Sequence, residues 1–419
     1  MAVVLAYMSP AIGHLFPYCA LLSELSARGH QIHVRTLDSG VDLCRRLGFA
    51  ARRIDPRIEH LQSDDWSTDS SLRIASRTVD VLVRRAALEV ADVMSAIDTV
   101  VPDVVLVDAN CWGAISVAET QDIPWLVFSP FTPYLDAPGS PPFGPGYTPR
   151  AGVVGRVRDL GVKSVTCTVF DRPFRNGLNP VRADLGLSSV RSADELLRRA
   201  PGVLVATGKP FEYHHTDWGR SVHMIGPAIF EPPVQQVPEW LDDIDLPVVL
   251  VTTSSVRQAD AALVRTALQA LDGEPVHVVA TQPAGNLDID PRAFPRATLA
   301  GFVPHSAVLD RAVCVVTHGG MGITQKALSR GIPVCAVPFG RDQFEVARRV
   351  QVARCGTRLP ARRLSVSRLR ESVLTAMTMS GGAAEVAAGF AATGGMRHGA
   401  HVIERALKGS TLQPNSNTA

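Results

Sequence analysis

Residues 313–343, VCVVTHGGMGITQKALSRGIPVCAVPFGRDQ, carry the densest set of groups able to do chemistry. His318 is followed by Gly319 and Gly320, then by Met321, Gly322, Ile323 and Thr324. Glycines here permit a tight turn and let a ligand come close to the backbone. A helix over about 324–329 would present unpaired N–H groups and the positive end of its dipole, which suit a phosphate. Beyond the breakers Pro338 and Gly340, Asp342 and Gln343 offer a carboxylate and an amide to hydroxyl groups, although Asp342 is also placed to cap a helix over 343–350. A second group lies far away in the chain. His14 directly precedes a helix and fits either a helix-entry role or a general base, because the imidazole pKa lies nearest neutrality. Asp108 closes the apolar run 104–107 and is able to orient such an imidazole or to cap a helix over 114–120; Asn110 is a second candidate for that place.

The elements needed to position these groups follow from the apolar periodicity. Strands are expected at 3–7 and 31–36 around a helix at 15–28, whose Leu15, Tyr18, Cys19, Leu22 and Leu25 recur at helical spacing. The loop at 9–13 lacks GxGxxG, which argues against a dinucleotide cradle. A long amphipathic helix at 73–96 precedes strands at 104–107 and 125–128. If the strands at 3–7 and 104–107 are neighbours, His14 and Asp108 share one sheet edge, where open parallel sheets bind ligands. From 129 to about 166 the pattern dissolves into a Pro- and Gly-rich irregular stretch, whose Phe131, Tyr134, Phe143 and Tyr147 are candidates for an apolar wall. Strands at 203–207, 248–251, 276–280 and 298–303, a loop at 252–255, and helices at 259–271, 364–377 and 383–407 complete the pattern. The prolines at 227, 232, 233 and 238 make 223–241 a stiff connector, and the tail from 409 is expected to fray.

A chain of 419 residues suggests two domains. With 42 basic and 40 acidic residues and a net charge of +2, no nucleic acid or anionic membrane is called for as a partner, and small molecules are expected instead. Seven scattered cysteines without a CxxC pair fit a reducing cytoplasm. Neither a signal peptide nor a membrane span is expected, and no histidine has a zinc-ligand spacing.

The runs HGGMG at 318–322, GIPV at 331–334 and PFGRDQ at 338–343, with GFVPHSAVL at 301–309 and GHLFP at 13–17, resemble the UDP-glycosyltransferase superfamily, in particular its bacterial antibiotic and macrolide members. The resemblance implies the GT-B fold: two α/β Rossmann-like domains facing each other across a cleft. The acceptor-binding domain would span 1–222 and the linker 223–241. The nucleotide-sugar domain would span 242–385, with helices crossing back at 386–408 and a tail at 409–419. It further implies that His14 deprotonates the acceptor hydroxyl with Asp108 beside it; Phe131, Tyr134, Phe143 and Tyr147 would then form the acceptor wall, with simple loop packing as the alternative for these aromatics. A helix near 175–187 would touch the acceptor too. Ser255, Phe302, Val303, His305, His318, Gly319, Gly320, Met321, Gly322, Ile323, Thr324, Asp342 and Gln343 would bind the donor.

The chain departs from the family pattern at several positions. Ser254 replaces a Gly, Phe302 stands where Trp is commoner and His305 where Gln is commoner, and Ile323 replaces a Ser or Thr. Lys326 stands where a Glu usually accepts hydrogen bonds from the ribose. Lysine has donors only, so either the donor is a deoxynucleotide or the ribose is held otherwise, with Lys326 near phosphate or in solvent. The implied activity is inverting, metal-independent transfer from a UDP- or dTDP-sugar, as co-substrate and without a cofactor, to a small lipophilic acceptor. The Asp-x-Asp pairs 243/245 and 288/290, a form that holds manganese in another glycosyltransferase class, are expected in surface turns. A sugar-nucleotide epimerase and a non-catalytic two-lobed binding protein are the alternatives.

Overall fold

The computed structural model describes residues 1–62, 71–232, 237–254, 260–281, 289–301 and 303–409. Seven strands form one parallel sheet: β1 Val3–Tyr7, β2 Gln31–Thr36, β3 Ala50–Arg53, β4 Val104–Asp108, β5 Trp125–Ser129, β6 Val203–Val205 and β7 Val222–Met224, in the order β3-β2-β1-β4-β5-β6-β7. Six more form a second: β8 Val248–Thr252, β9 His277–Thr281, β10 Ala297–Ala300, β11 Ala312–Thr317, β12 Val334–Ala336 and β13 Gly356–Arg358, in the order β10-β9-β8-β11-β12-β13. Both are covered by helices on each face, which is why their central strands are near-continuous apolar runs. The two-residue pleat divides the core: Leu5 and Tyr7 pack on one side of the first sheet, Val4 and Ala6 on the other. Val248 and Leu250 are separated from Val249 and Val251 in the same way in the second.

In each sheet the strand order reverses once at the centre, between β1 and β4 and between β8 and β11. The crevices at the carboxyl ends of those pairs are the ligand-binding places of open parallel sheets. This is the two-domain GT-B architecture, and both switch points bear the residues singled out above.

Several boundaries differ from the sequence expectation. β7 takes in His223 and Met224, paired with β6 through Val205 and Met224, so the first half extends past residue 222. The irregular stretch stops at Ala151, not near 166. A helix covers Gly152–Thr166; its Val153, Val157 and Leu160 fall at helical spacing but are exposed, and Gly155 is its buried residue, so this apolar face does not join the core. β10 ends at Ala300, three residues before the expected limit. Asp243 and Asp245 stand exposed beside the amino end of β8, on the opposite edge from the crevice, while Asp288 lies outside the described residues.

The last helix, Gly395–Leu407, leaves the second half at Gly394, which has φ +82°, and packs on Ile12–Ala27 of the first. Val402 and Ile403 enter the first core there, and Arg28 pairs with Glu404 at 2.9 Å. No described helix is long and apolar enough to cross a membrane.

Candidate active site

His14 is the third residue of the helix Ile12–Ala27, inside its first turn, and the N-cap is Ala11 with no side-chain cap bond. The ring turns to the neighbouring strand end: Nδ1 lies 2.7 Å from Asp108 Oδ2. A carboxylate only accepts, so Nδ1 carries the proton and Nε2 keeps its lone pair. Asp108 is fully buried, and its Oδ1 accepts from the Asn110 backbone N at 2.8 Å. It does not cap Trp112–Glu119, whose N-cap is Cys111. Burial works to lower the His14 pKa, but the charge and hydrogen bond of Asp108, with a contribution from Asp342, hold it above the ordinary imidazole value.

Across the cleft, β11 ends at Thr317 and His318 is nearly buried. Gly319 has φ +89°, which favours glycine, and a Cβ on Gly320 would stand 2.6 Å from His318 Nε2. The glycines thus let the ring lie against the turn. The helix Met321–Leu328 begins immediately afterwards with Gly320 as an extended N-cap and no side-chain cap bond. Its first-turn N–H groups are those a helix leaves for an anion. Burial lowers the His318 pKa, so the ring is a neutral hydrogen-bonding group near pH 7.

Asp342 occupies the N-cap position of Gln343–Val352, yet its side chain makes no cap bond. Burial raises its pKa, opposed by Arg341 and by His14 across the cleft. The Gln343 side-chain oxygen accepts from Phe339 N at 2.8 Å and Gly340 N at 3.1 Å, fixing the turn that carries Asp342.

All these groups meet in one cavity of about 1710 Å³ between the two halves. His14, Asn110, His305, His318, Gly320, Met321, Gly322, Ile323, Asp342 and Gln343 line it. Phe131, Tyr134, Phe143 and Tyr147 line it as well, forming a ladder of rings: His14 to Phe131 at 5.4 Å, Phe131 to Tyr134 at 5.5 Å and Tyr134 to Phe143 at 4.8 Å. Of the helix near 175–187, Arg175 reaches the cavity, whereas Phe174, Leu178 and Arg182 are buried. Three expected donor residues are not among the lining groups. Gly319 serves the turn, Val303 packs into the second core, and Thr324 is fully buried with its hydroxyl unpartnered, so that hydroxyl is not offered to a phosphate. Ser255 and Phe302 lie outside the described residues.

Lys326 lines the cavity, but neither as a solvent-facing nor as a free phosphate-facing cation: its Nζ pairs with Glu231 Oε1 at 3.0 Å.

Residues 262–395 match the family described as Erythromycin biosynthesis protein CIII-like, C-terminal domain. A relative from Lentzea aerocolonigenes, 4'-demethylrebeccamycin synthase, is 30% identical over 385 residues, covering 88% of this chain and 90% of its own. The chain belongs to the UDP-glycosyltransferase superfamily, among its bacterial antibiotic-type members. The glycotransferase of kitacinnamycin superposes with a TM-score of 0.75 at 22% identity over 97% of this chain and 99% of that one. The glycosyltransferase SsfS6 of Streptomyces sp. SF2575, solved with thymidine diphosphate, has a TM-score of 0.66 at 21% identity over 97% and 100%.

In this glycosyltransferase the loop at 144–146 and the helix Gln343–Val352 are joined by groups that periodicity does not mark. Glu345 Oε1 accepts from Gly144 N and Gly146 N, each at 2.9 Å, and Arg348 Nε donates to the Gly146 carbonyl at 2.7 Å. Behind them Arg349 is buried between Glu212 and Glu345, at 2.7 and 2.9 Å. Phe170, 5.4 Å from Tyr134, extends the aromatic wall and lies just beyond the stretch expected to be irregular. Arg85 and Glu89 also pass unnoticed; their signal was available as charges on the otherwise apolar stripe of Ser71–Val100.

Proposed function

We propose that this glycosyltransferase moves a sugar from a UDP- or dTDP-sugar to a hydroxyl of a bulky, lipophilic natural-product acceptor, with inversion and without a metal ion. One observation carries the reading: the His14–Asp108 pair on one wall of the cavity faces His318 and the uncapped start of Met321–Leu328 on the other. His14 Nε2 takes the acceptor's hydroxyl proton as the acceptor oxygen attacks the anomeric carbon from the side opposite the diphosphate. The new C–O bond forms as the bond to the leaving diphosphate breaks, and Asp108 stabilises the imidazolium produced. The departing charge is met by helix N–H groups and His318, pre-oriented donors that need no reorganisation during the step. Asp342 and the Gln343 amide stand where donor-sugar hydroxyls would bond. The aromatic ladder supports an acceptor with extended apolar surface. Free cysteines, six of them buried, agree with a cytoplasmic enzyme.

The test of inversion is the anomeric configuration of the isolated product by proton NMR. An α-linked donor is expected to yield a β-glycoside; an α-glycoside would overturn the single-displacement assignment of His14.

A further inference from the structure

The cavity face of Met321–Leu328 is formed by Gly322, Ile323 and Lys326. With a rise of 1.5 Å per residue, Lys326 stands about 6 Å along the axis from Gly322. If the diphosphate sits at the helix start, the next group along this face is the pentose of the nucleoside. A pentose hydroxyl both donates and accepts; a lysine can donate to it but cannot take its proton in a hydrogen bond, so that proton needs an acceptor from another residue.

Lys326 instead holds an acceptor in place. Its Nζ bonds Glu231 Oε1 at 3.0 Å, and the same carboxylate receives the Ser306 backbone N at 3.0 Å on Oε1 and 3.2 Å on Oε2. Glu231 belongs to the connector between the halves, 95 residues before Lys326. Glu231 is not itself among the lining residues, but Phe230 beside it and Lys326, which it touches, both line the cavity, and about a fifth of its side chain, 21%, is exposed. A carboxylate offers about four lone-pair sites. Lys326 Nζ and the Ser306 amide, with the Ser306 side chain, occupy part of that capacity, and a site for one further donor remains. Burial opposes ionisation of Glu231, but the Ser306 and Lys326 contacts outweigh it and hold its pKa below the usual range. The group is therefore an anchored, ionised acceptor beside the expected path of the nucleoside.

We infer that Glu231, carried on the interdomain connector and oriented by Lys326 and the Ser306 amide, accepts the hydrogen bond of the nucleotide's 3′-hydroxyl. The inference rests on the donor reading above. It resolves the donor-only Lys326 without requiring a site that ignores the pentose: the acceptor comes from the connector instead of the motif helix. Because that connector joins the halves, the nucleoside is also contacted from the hinge as well as from the second sheet.

The test is calorimetric titration of the whole enzyme with dTDP, UDP and 2′,3′-dideoxythymidine diphosphate. Hydrogen bonds to a charged partner predict that the wild type binds dTDP roughly ten-fold or more tightly than the dideoxy compound. Glu231→Gln and Lys326→Met should each shrink that preference several-fold, while affinity for the dideoxy compound stays within about two-fold, as expected where a single contact is removed. Equal wild-type affinity for dTDP and its dideoxy analogue would overturn the inference without any variant being made. So would Glu231→Gln weakening both ligands by the same factor, since that marks a purely structural staple. A wild type that binds neither dTDP nor UDP would remove the donor reading itself, a different result from binding both without preference for the hydroxyl.

Discussion

His14 Nδ1 and Asp108 Oδ2 are 2.7 Å apart although 94 residues separate them, because β1 and β4 are neighbours at the switch point of the first sheet. The contact sets the tautomer, leaves Nε2 facing the cleft, and raises the imidazole pKa against the pull of burial. The imidazole is thus fixed in orientation by the fold itself.

A pH profile follows from that shift. His14 acts as a base only when neutral, so kcat/KM should rise with pH through an acid limb above the ordinary imidazole value of about 6.5. Asp108→Asn removes the charge that raises the pKa, so the limb should move to lower pH while kcat falls by about 10²-fold or more, as for a base deprived of its orienting acid. A limb that does not move in Asp108→Asn would show that another group titrates.

Gly146 has φ +60°, and a Cβ there would stand 2.1 Å from the Phe344 carbonyl oxygen. Gly146→Ala should therefore push the acceptor loop away from Gln343–Val352. Steady-state kinetics should show acceptor kcat/KM reduced about ten-fold or more, as positional errors near reacting groups do, with nucleotide affinity within about two-fold. Unchanged acceptor kinetics would mean the loop does not help shape the acceptor site.

Arg349 lies between two buried carboxylates, Glu212 and Glu345. Arg349→Met would leave both uncompensated, and stability measured by urea unfolding should fall by about 3–5 kcal/mol. A loss under about 1 kcal/mol would show that the pocket rehydrates or the acids protonate at little cost.

Much of this site is legible in the chain because its groups sit at strand ends beside local punctuation. The valine run before His318, the glycines after it, and the Pro-Phe-Gly turn before Asp342 each announce themselves within a few residues. Helix Gly152–Thr166 does not, since Gly155 and Gly161 inside it lower its helix propensity and it follows directly on the Pro- and Gly-rich run. Thr324 lies close to the motif yet turns into the core, which depends on helical phase and not on spacing from His318. The Glu231–Lys326 bond needs the connector to fold back on the second half, and the Glu212–Arg349–Glu345 network joins residues that meet only when the halves pack together. No local pattern carries such contacts.

Glu89 illustrates the same point for a titrating group. It accepts from Gly113 N at 2.9 Å and Ala114 N at 3.3 Å at the start of Trp112–Glu119, and burial pushes its pKa up to about 8. The folded chain then binds more protons than the unfolded one between the ordinary glutamate value, about 4.3, and about 8, so stability falls as pH rises through that window. Glu89→Gln removes this dependence and should melt close to the wild type near pH 4 but higher than it near pH 8, read by thermal unfolding at each pH. A pH-independent difference would place the cause in packing, not in proton binding.

The most direct measurement is mass spectrometry of reactions pairing UDP- and dTDP-sugars with a panel of hydroxylated aromatic and polyketide acceptors, run with the wild type and with His14→Ala. The account predicts a hexose or deoxyhexose adduct with the wild type and at least a hundred-fold less with His14→Ala, at the lower end of general-base contributions, while nucleotide affinity stays within about two-fold. Transfer persisting in His14→Ala at the wild-type rate, or neither adduct nor released nucleotide with any pairing, would contradict it.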